Sequence, residues 1–225
     1  MFDVCKNNSQ THSSIMKHIN LKYSGIFMLW LMHISGFIGI NLGYSDFFLP
    51  LSALNLWFIF SLLVFFYPIK KIKQVILFSS IAISGFVVEA VGVATGQIFG
   101  EYTYGNNLGL KLADVPIIIG VNWAILSFVT AEIADSIKLK STYLKALISS
   151  GLMLVFDIFI EQSAPRFDFW AFELPSVPLQ NYITWFVLAY IFSFAVLKFK
   201  SKADTVISFH IYIVQVLFFI LFYVF

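Results

Sequence analysis

The chain has 225 residues, of which 60% are hydrophobic and only 12% are charged. A soluble domain of this composition would have too few polar side chains to cover its core, so an ordinary water-soluble protein is excluded. The net charge of +2 comes from short lysine clusters without interleaved aromatic residues, which argues against nucleic-acid binding, and a single cysteine leaves no disulfide partner.

The N-terminal segment, residues 1–23, is polar and rich in Ser, Asn and His. No small-residue cleavage site precedes the first apolar run, which argues against a signal peptide. This segment is predicted to be a disordered cytoplasmic tail, and residues 24–225 are predicted to form one transmembrane domain.

Seven apolar runs follow the tail, and each has about the length that an α-helix needs to cross the hydrocarbon core of a bilayer. They are predicted at residues 24–43, 48–67, 75–97, 115–134, 143–162, 181–197 and 205–224. The predicted fold class is therefore all-α, a polytopic transmembrane helical bundle of about seven spans.

The distribution of lysines predicts the orientation of this bundle. Lys and Arg favour cytoplasmic loops. Twelve of the fourteen basic residues fall in alternate connecting segments, and only Lys111 and Arg166 fall in the others. This alternation predicts a cytoplasmic N-terminus and a multi-pass protein of the bacterial inner membrane.

Four ionisable side chains lie inside the predicted spans away from their cytoplasmic ends, where each is costly and points to a function. His33 lies in the first span, Glu89 in the third, and Asp157 and Glu161 in the fifth. Asp157 and Glu161 are four residues apart and share a helix face. Two ionised carboxylates there would repel, so at least one should hold a proton and could act as a general acid. The predicted catalytic residues are Glu89, Asp157 and Glu161.

Polar and aromatic residues at the extracytoplasmic ends of the spans are predicted to converge on these carboxyls. Residues 99–109 and 161–185 are long, aromatic and punctuated by Gly or Pro, and could fold back as a lid. The predicted substrate-binding residues are His33, Tyr102, Tyr104, Asn122, Trp123, Trp170, Asn181 and Trp185.

Structural interpretations remain open for the same residues. Trp and Tyr concentrate at the membrane interface, so each aromatic residue could be an anchor there. His33 could simply bond across helices. Glu89 and Asp157 could form a structural pair satisfied by Asn122 or a tyrosine hydroxyl. Glu132 and Asp135, at the cytoplasmic end of the fourth span, are predicted to be solvated.

Several runs of sequence together resemble one family. They are GFVVEAVGVATGQIFGEYTYGNNLG at 85–109, VPIIIGVNW at 115–123, the Asp157 to Glu161 helix with its Trp-containing loop, and PLQNYITW at 178–185. The combination resembles the bacterial and archaeal carotenoid biosynthesis membrane family, which includes carotenoid 1,2-hydratases. The resemblance covers roughly residues 75–190.

The resemblance implies addition of water across the terminal 1,2 double bond of an acyclic carotenoid end group of the lycopene or γ-carotene type, with no cofactor. Its implied partners are the lipid-soluble carotenoid, membrane lipid and other enzymes of the carotenoid pathway. A neutral carboxyl at Asp157 or Glu89 could protonate the alkene. Aromatic faces such as Trp123 could stabilise the resulting cation. A second carboxylate would orient the attacking water.

Other functions are weighed against this hypothesis. A carotenoid-binding or transport protein without enzymatic activity could use the same buried carboxylates to relay protons or anchor a polar end group. A retinal-type photoreceptor is excluded because the last span, residues 205–224, has no lysine to form the Schiff base. The sequence carries no motif for a metal site, such as HExxH.

Overall fold

The computed structural model describes residues 2–67, 69, 71–200 and 203–225, with side chains from residue 19 onward. Within this part of the chain, seven helical segments are long and apolar enough to cross a membrane, and their bounds agree with the predicted spans to within five residues. The predicted all-α transmembrane bundle is thereby confirmed. The predicted disorder of residues 1–23 stays a prediction, because the side chains of residues 1–18 lie outside the described part.

The helices are joined by short links at one end of the bundle, and at the other end two of the three links between spans are longer and partly stranded. The helices are α1 (Phe2–Asn41), α2 (Ser45–Phe48), α3 (Ser52–Phe66), α4 (Ile72–Thr95), α5 (Ile117–Ser136), α6 (Thr142–Ser163), α7 (Leu179–Phe199) and α8 (Thr205–Val224). The strands are β1 (Tyr102–Tyr104), β2 (Lys111–Leu112), β3 (Val115–Pro116) and β4 (Trp170–Phe172). A 3₁₀ turn, Leu49–Leu51, joins α2 to α3, so that Ser45–Phe66 forms one span.

Helix α5 is the central helix of the bundle. It contacts α3, α4, α6, α7 and α8, and 78% of its spanning residues are buried, against at most 50% in any other span. Small residues allow this close packing. Gly120 lies so near α4 that a β-carbon there would be 2.5 Å from the carbonyl oxygen of Ala82. Gly85 similarly leaves room on α4 for the Trp123 side chain.

We expect Gly120→Ala to destabilise the bundle by about 1–3 kcal/mol, because the new methyl group has no space without a shift of α4 against α5. The measurement is thermal unfolding of the purified protein in detergent. Gly151→Ala is the matched control, since a β-carbon at Gly151 on α6 would meet no atom within 4 Å. Equal unfolding temperatures for the two variants would contradict this account of the α4–α5 contact.

The bundle end that carries the lysine-bearing links, here called the lysine end, holds a buried ion pair. Glu132 is 3% exposed and pairs with Lys200, and Thr205 donates a hydrogen bond to its other carboxylate oxygen at 2.9 Å. The prediction that Glu132 is solvated is wrong, because Lys200 at the end of α7 folds over the carboxylate and replaces water. Asp135 is exposed, in line with the prediction for it, and pairs with Lys145 at 2.7 Å.

The opposite end, here called the loop end, carries residues 96–116 and 164–178. Strands β1 and β4 pair antiparallel across these two segments, with Tyr102 opposite Phe172 and Tyr104 opposite Trp170. The two segments predicted to fold back as a lid therefore meet in one two-stranded ribbon. We call this pair of strands the β1–β4 ribbon.

Candidate active site

A cavity of about 190 Å³ lies beneath the β1–β4 ribbon, inside the loop half of the bundle. Its wall is mainly aromatic and apolar, and it includes every predicted substrate-binding residue and two of the three predicted catalytic carboxyls. Those residues are His33, Glu89, Tyr102, Tyr104, Asn122, Trp123, Glu161, Trp170, Asn181 and Trp185. The third carboxyl, Asp157, does not line the cavity.

Glu89 on α4 accepts three hydrogen bonds at the cavity wall. The hydroxyls of Tyr102 and Tyr104 donate to Oε2 at 2.5 and 2.9 Å, and Trp123 Nε1 donates to Oε1 at 2.8 Å. The tyrosines reach one oxygen because alternate residues of a strand lie on the same face. Gly92, one turn after Glu89 on its helix, leaves room for the ring of Phe99, which packs edge to face on Tyr102. Three donors and no acceptor around the carboxyl favour its ionised form.

The two tyrosines are held in their donor form. Burial first, and then the nearby charge of Glu89, raises the pKa of the Tyr102 phenol well above its ordinary value. The same two causes raise the pKa of Tyr104. Both phenols therefore keep their protons and remain hydrogen-bond donors to Glu89 at any physiological pH.

Glu161 near the end of α6 has fewer donors. Trp170 Nε1, delivered by β4, donates to Oε2 at 2.8 Å, and Asn181 Nδ2 donates to Oε1 at 3.1 Å. The same Asn181 amide donates to Asp157 Oδ2 at 3.2 Å. One amide group thus bridges two carboxyls that share a face of α6.

Asp157 lies behind the cavity wall and is completely buried. Its Oδ1 has no hydrogen-bond partner among the described residues, so Asn181 is its single donor there. A buried ionised carboxylate with one donor would be costly, and a neutral carboxyl is much less so. The arrangement therefore suits a protonated Asp157 that supports Glu161 through Asn181.

Aromatic side chains make up much of the remaining wall. Trp123 and Trp185 stack with their ring centroids 3.9 Å apart. Tyr104 meets Trp170 edge to face, with the centroids 6.0 Å apart, so the ribbon connects the surroundings of Glu89 to those of Glu161. Such a wall presents ring faces and edges to an apolar ligand.

The structural alternatives hold in part. His33 on α1 does bond across helices, to Asn55 on α3 at 3.3 Å, and it also lines the cavity. Glu89 is satisfied by tyrosine hydroxyls, but no hydrogen bond joins it to Asp157 or Asn122 among the described contacts. The aromatic side chains of the ribbon line a cavity instead of only facing the membrane interface.

Two amide residues of the cavity wall, Asn55 on α3 and Gln215 on α8, were missed in the sequence. Each is a lone amide in a strongly apolar helix, and that contrast is the signal that could have identified them. Among the described residues, no group of three or more His, Cys, Asp or Glu side chains is arranged to hold a metal ion.

Comparison of the chain with known proteins points to carotenoid biosynthesis. Residues 51–225 match the sequence model of the family described as carotenoid biosynthesis protein. A bisanhydrobacterioruberin hydratase from Haloarcula japonica is 28% identical over 145 residues, which cover 61% of the chain and 48% of that protein. The match thus spans about half the length of this relative. No solved structure matches the chain.

Proposed function

Because the chain belongs to the carotenoid biosynthesis protein family, we propose that it is a hydratase that adds water across the terminal 1,2 double bond of an acyclic carotenoid end group. Lycopene and γ-carotene carry end groups of this type. The observation that carries the proposal is a pair of carboxyls, Glu89 and Glu161, facing one cavity with a largely aromatic wall. Their different hydrogen-bond partners suit them to opposite roles.

The size of the cavity supports an end-group substrate. A carotenoid is about as long as the roughly 30 Å hydrocarbon core of a bilayer. A cavity of about 190 Å³ holds only its end, so the polyene chain would lie along the helices in lipid. With the N-terminus and the lysine end in the cytoplasm, as the lysine distribution favours, the reaction takes place on the outer side of the inner membrane.

Glu161 is assigned as the general acid. Protonation of an alkene needs a neutral carboxyl in a water-poor site. Glu161 faces the cavity, is buried and has only two donors, and burial with few donors favours the neutral form of a carboxyl. Its proton passes to C2 of the end group, and a tertiary cation forms at C1.

Glu89 is assigned as the base. Its negative charge, held in place by three donors, stabilises the cation at C1. The aromatic rings of the cavity wall stabilise the same cation through cation–π interactions. A water molecule then bonds through its oxygen to C1 and loses one proton to Glu89, which leaves a tertiary alcohol. Return of that proton from Glu89 to Glu161 completes the cycle without any change of oxidation state.

Asp157 is assigned as a positioning residue. It does not line the cavity, and it touches Glu161 only through the shared amide of Asn181. A neutral Asp157 keeps Asn181 in place, and it also adds no second negative charge beside Glu161.

The proposal is tested by expressing the chain in a host that accumulates lycopene or γ-carotene and analysing the pigments by chromatography and mass spectrometry. The expected product is heavier by one water molecule per modified end. A Glu89→Gln/Glu161→Gln double variant, expressed at the same level, is the control for background reactions. Unchanged pigments with every acyclic carotenoid tried would contradict the hydratase proposal. Pigment that copurifies unchanged would favour a binding or transport protein.

We expect Tyr102→Phe to lower the hydration rate about tenfold, because one of the two donors to Glu89 Oε2 is lost while the ring stays in the wall. Conversion of lycopene in isolated membranes gives the rate. Tyr44→Phe is the matched control, since Tyr44 is exposed and does not line the cavity. A Tyr102→Phe rate equal to that of the control would show that this donor is dispensable.

A further inference from the structure

His33 and Asn55 form a hydrogen-bonded unit on the wall of the cavity made by α1 and α3. The Leu29 carbonyl lies 2.8 Å from His33 Nδ1 and can only accept, so Nδ1 must carry the proton. In a neutral ring, Nε2 then has a lone pair and accepts a hydrogen bond from Asn55 Nδ2 at 3.3 Å. This chain of bonds fixes the amide of Asn55 and decides which of its atoms is the oxygen.

The oxygen of that amide, Asn55 Oδ1, is buried and has no partner among the described residues. Asn55 also lines the cavity. A buried carbonyl oxygen without a donor costs free energy, and such groups in native proteins are usually paired with water or a ligand. Because the oxygen can only accept, its ligand must bring an O–H or N–H group.

We propose that Asn55 Oδ1 accepts a hydrogen bond from the hydroxyl group that takes part in hydration, first as the attacking water and then as the alcohol of the product. This proposal rests on the proposed function. The cavity holds only one end group, so a hydroxyl at the far end of a carotenoid does not reach Asn55. The oxygen of the attacking water becomes the oxygen of the alcohol at C1, so one acceptor can bind the hydroxyl group before and after the reaction.

The chemistry of attack explains why a second, neutral acceptor is useful. A water molecule that directs a lone pair at a cationic carbon has both hydrogens available for acceptors. Glu89 accepts a hydrogen bond from one of them and then takes that hydrogen as the proton that the water loses. Asn55 accepts the other, and since an amide oxygen is a very weak base, that hydrogen stays on the product. His33 is then a positioning residue that acts through Asn55.

The test compares Asn55→Leu with Asn41→Leu, the same substitution at an exposed asparagine of α1 outside the cavity wall. Two quantities are measured in lipid nanodiscs. One is the rate of lycopene hydration. The other is the affinity for lycopene and for 1,1′-dihydroxylycopene, which carries the alcohol at both ends, from quenching of tryptophan fluorescence. Asn55→Gln, which keeps the amide but moves its oxygen, serves as a second variant in case Asn55→Leu fails to fold.

The wild-type protein and Asn41→Leu should bind the dihydroxy carotenoid about tenfold more tightly than lycopene, the effect of one hydrogen bond between neutral groups. Asn55→Leu should bind the two equally and hydrate lycopene about tenfold more slowly. Loss of rate alone would assign the site to water, and loss of the affinity difference alone would assign it to the alcohol.

A variant that keeps both the wild-type rate and the wild-type affinity difference would overturn the proposal. If the wild-type protein hydrates no carotenoid, the proposed function fails, but the binding comparison still decides whether Asn55 recognises a hydroxyl group. The two failures are therefore distinguishable.

Discussion

Glu161→Gln should lower the rate of carotenoid hydration by a factor of about 10²–10⁴, the usual contribution of a general acid. The amide keeps the shape of the side chain, and its oxygen accepts a hydrogen bond from Trp170 or Asn181, so at most one of these two donors is left unpaired. What is lost is the acidic proton. Binding of lycopene should change little, so the loss is expected in the turnover rate.

Asp157→Asn is the informative companion of this variant. Asp157 does not face the cavity, so its substitution should slow hydration far less than Glu161→Gln. Both rates are measured in membranes with equal amounts of protein, with lycopene as substrate. If Asp157→Asn abolishes hydration while Glu161→Gln remains active, the assignment of the acid is wrong and Asp157 must reach the substrate in a conformation other than this one.

Glu89→Gln should lower the rate of hydration by a factor of at least about 10², because the cation at C1 loses its facing negative charge and the attacking water loses its base. The amide also has a single acceptor oxygen for three donors, Tyr102, Tyr104 and Trp123. At least one of these donors is therefore left unpaired, and the β1–β4 ribbon should be held less firmly as well.

A second variant separates the chemical effect from the structural one. Glu89→Gln/Tyr102→Phe removes the surplus donor, so its thermal unfolding in detergent should recover toward that of Tyr102→Phe. Its hydration rate should stay as low as that of Glu89→Gln alone. Recovery of activity in the double variant would show that Glu89 acts only by holding the β1–β4 ribbon in place. Another residue would then have to be the base.

The sequence predicted the seven spans well because each is a long apolar run between lysine-bearing or polar links, and bilayer thickness allows little choice. It also predicted ten of the residues that line the cavity, because polar groups inside a membrane span are costly and so stand out. The convergence of Glu89 with Trp123 and Tyr102 follows from their shared depth near the loop end.

The sequence could not separate Asp157 from Glu161. The two share a helix face, and only the packing of α7, which places Asn181 between them, turns one toward the cavity wall and leaves the other behind it. It likewise could not place Glu132, because a lysine 68 positions away covers it. Pairings over such separations depend on tertiary packing, to which local patterns are blind.

The β1–β4 ribbon has a consequence for how the two carboxyls work together. Tyr102 and Tyr104 of one strand hold Glu89, and Trp170 of the other strand holds Glu161. Separation of the strands would therefore take donors away from both proposed catalytic carboxyls at once, and Glu89 would keep Trp123 and Glu161 would keep Asn181. The positions of the two carboxyls are therefore coupled through the ribbon, and a substitution that distorts either loop should affect both of them. A carotenoid that enters from the lipid would find both carboxyls already in position.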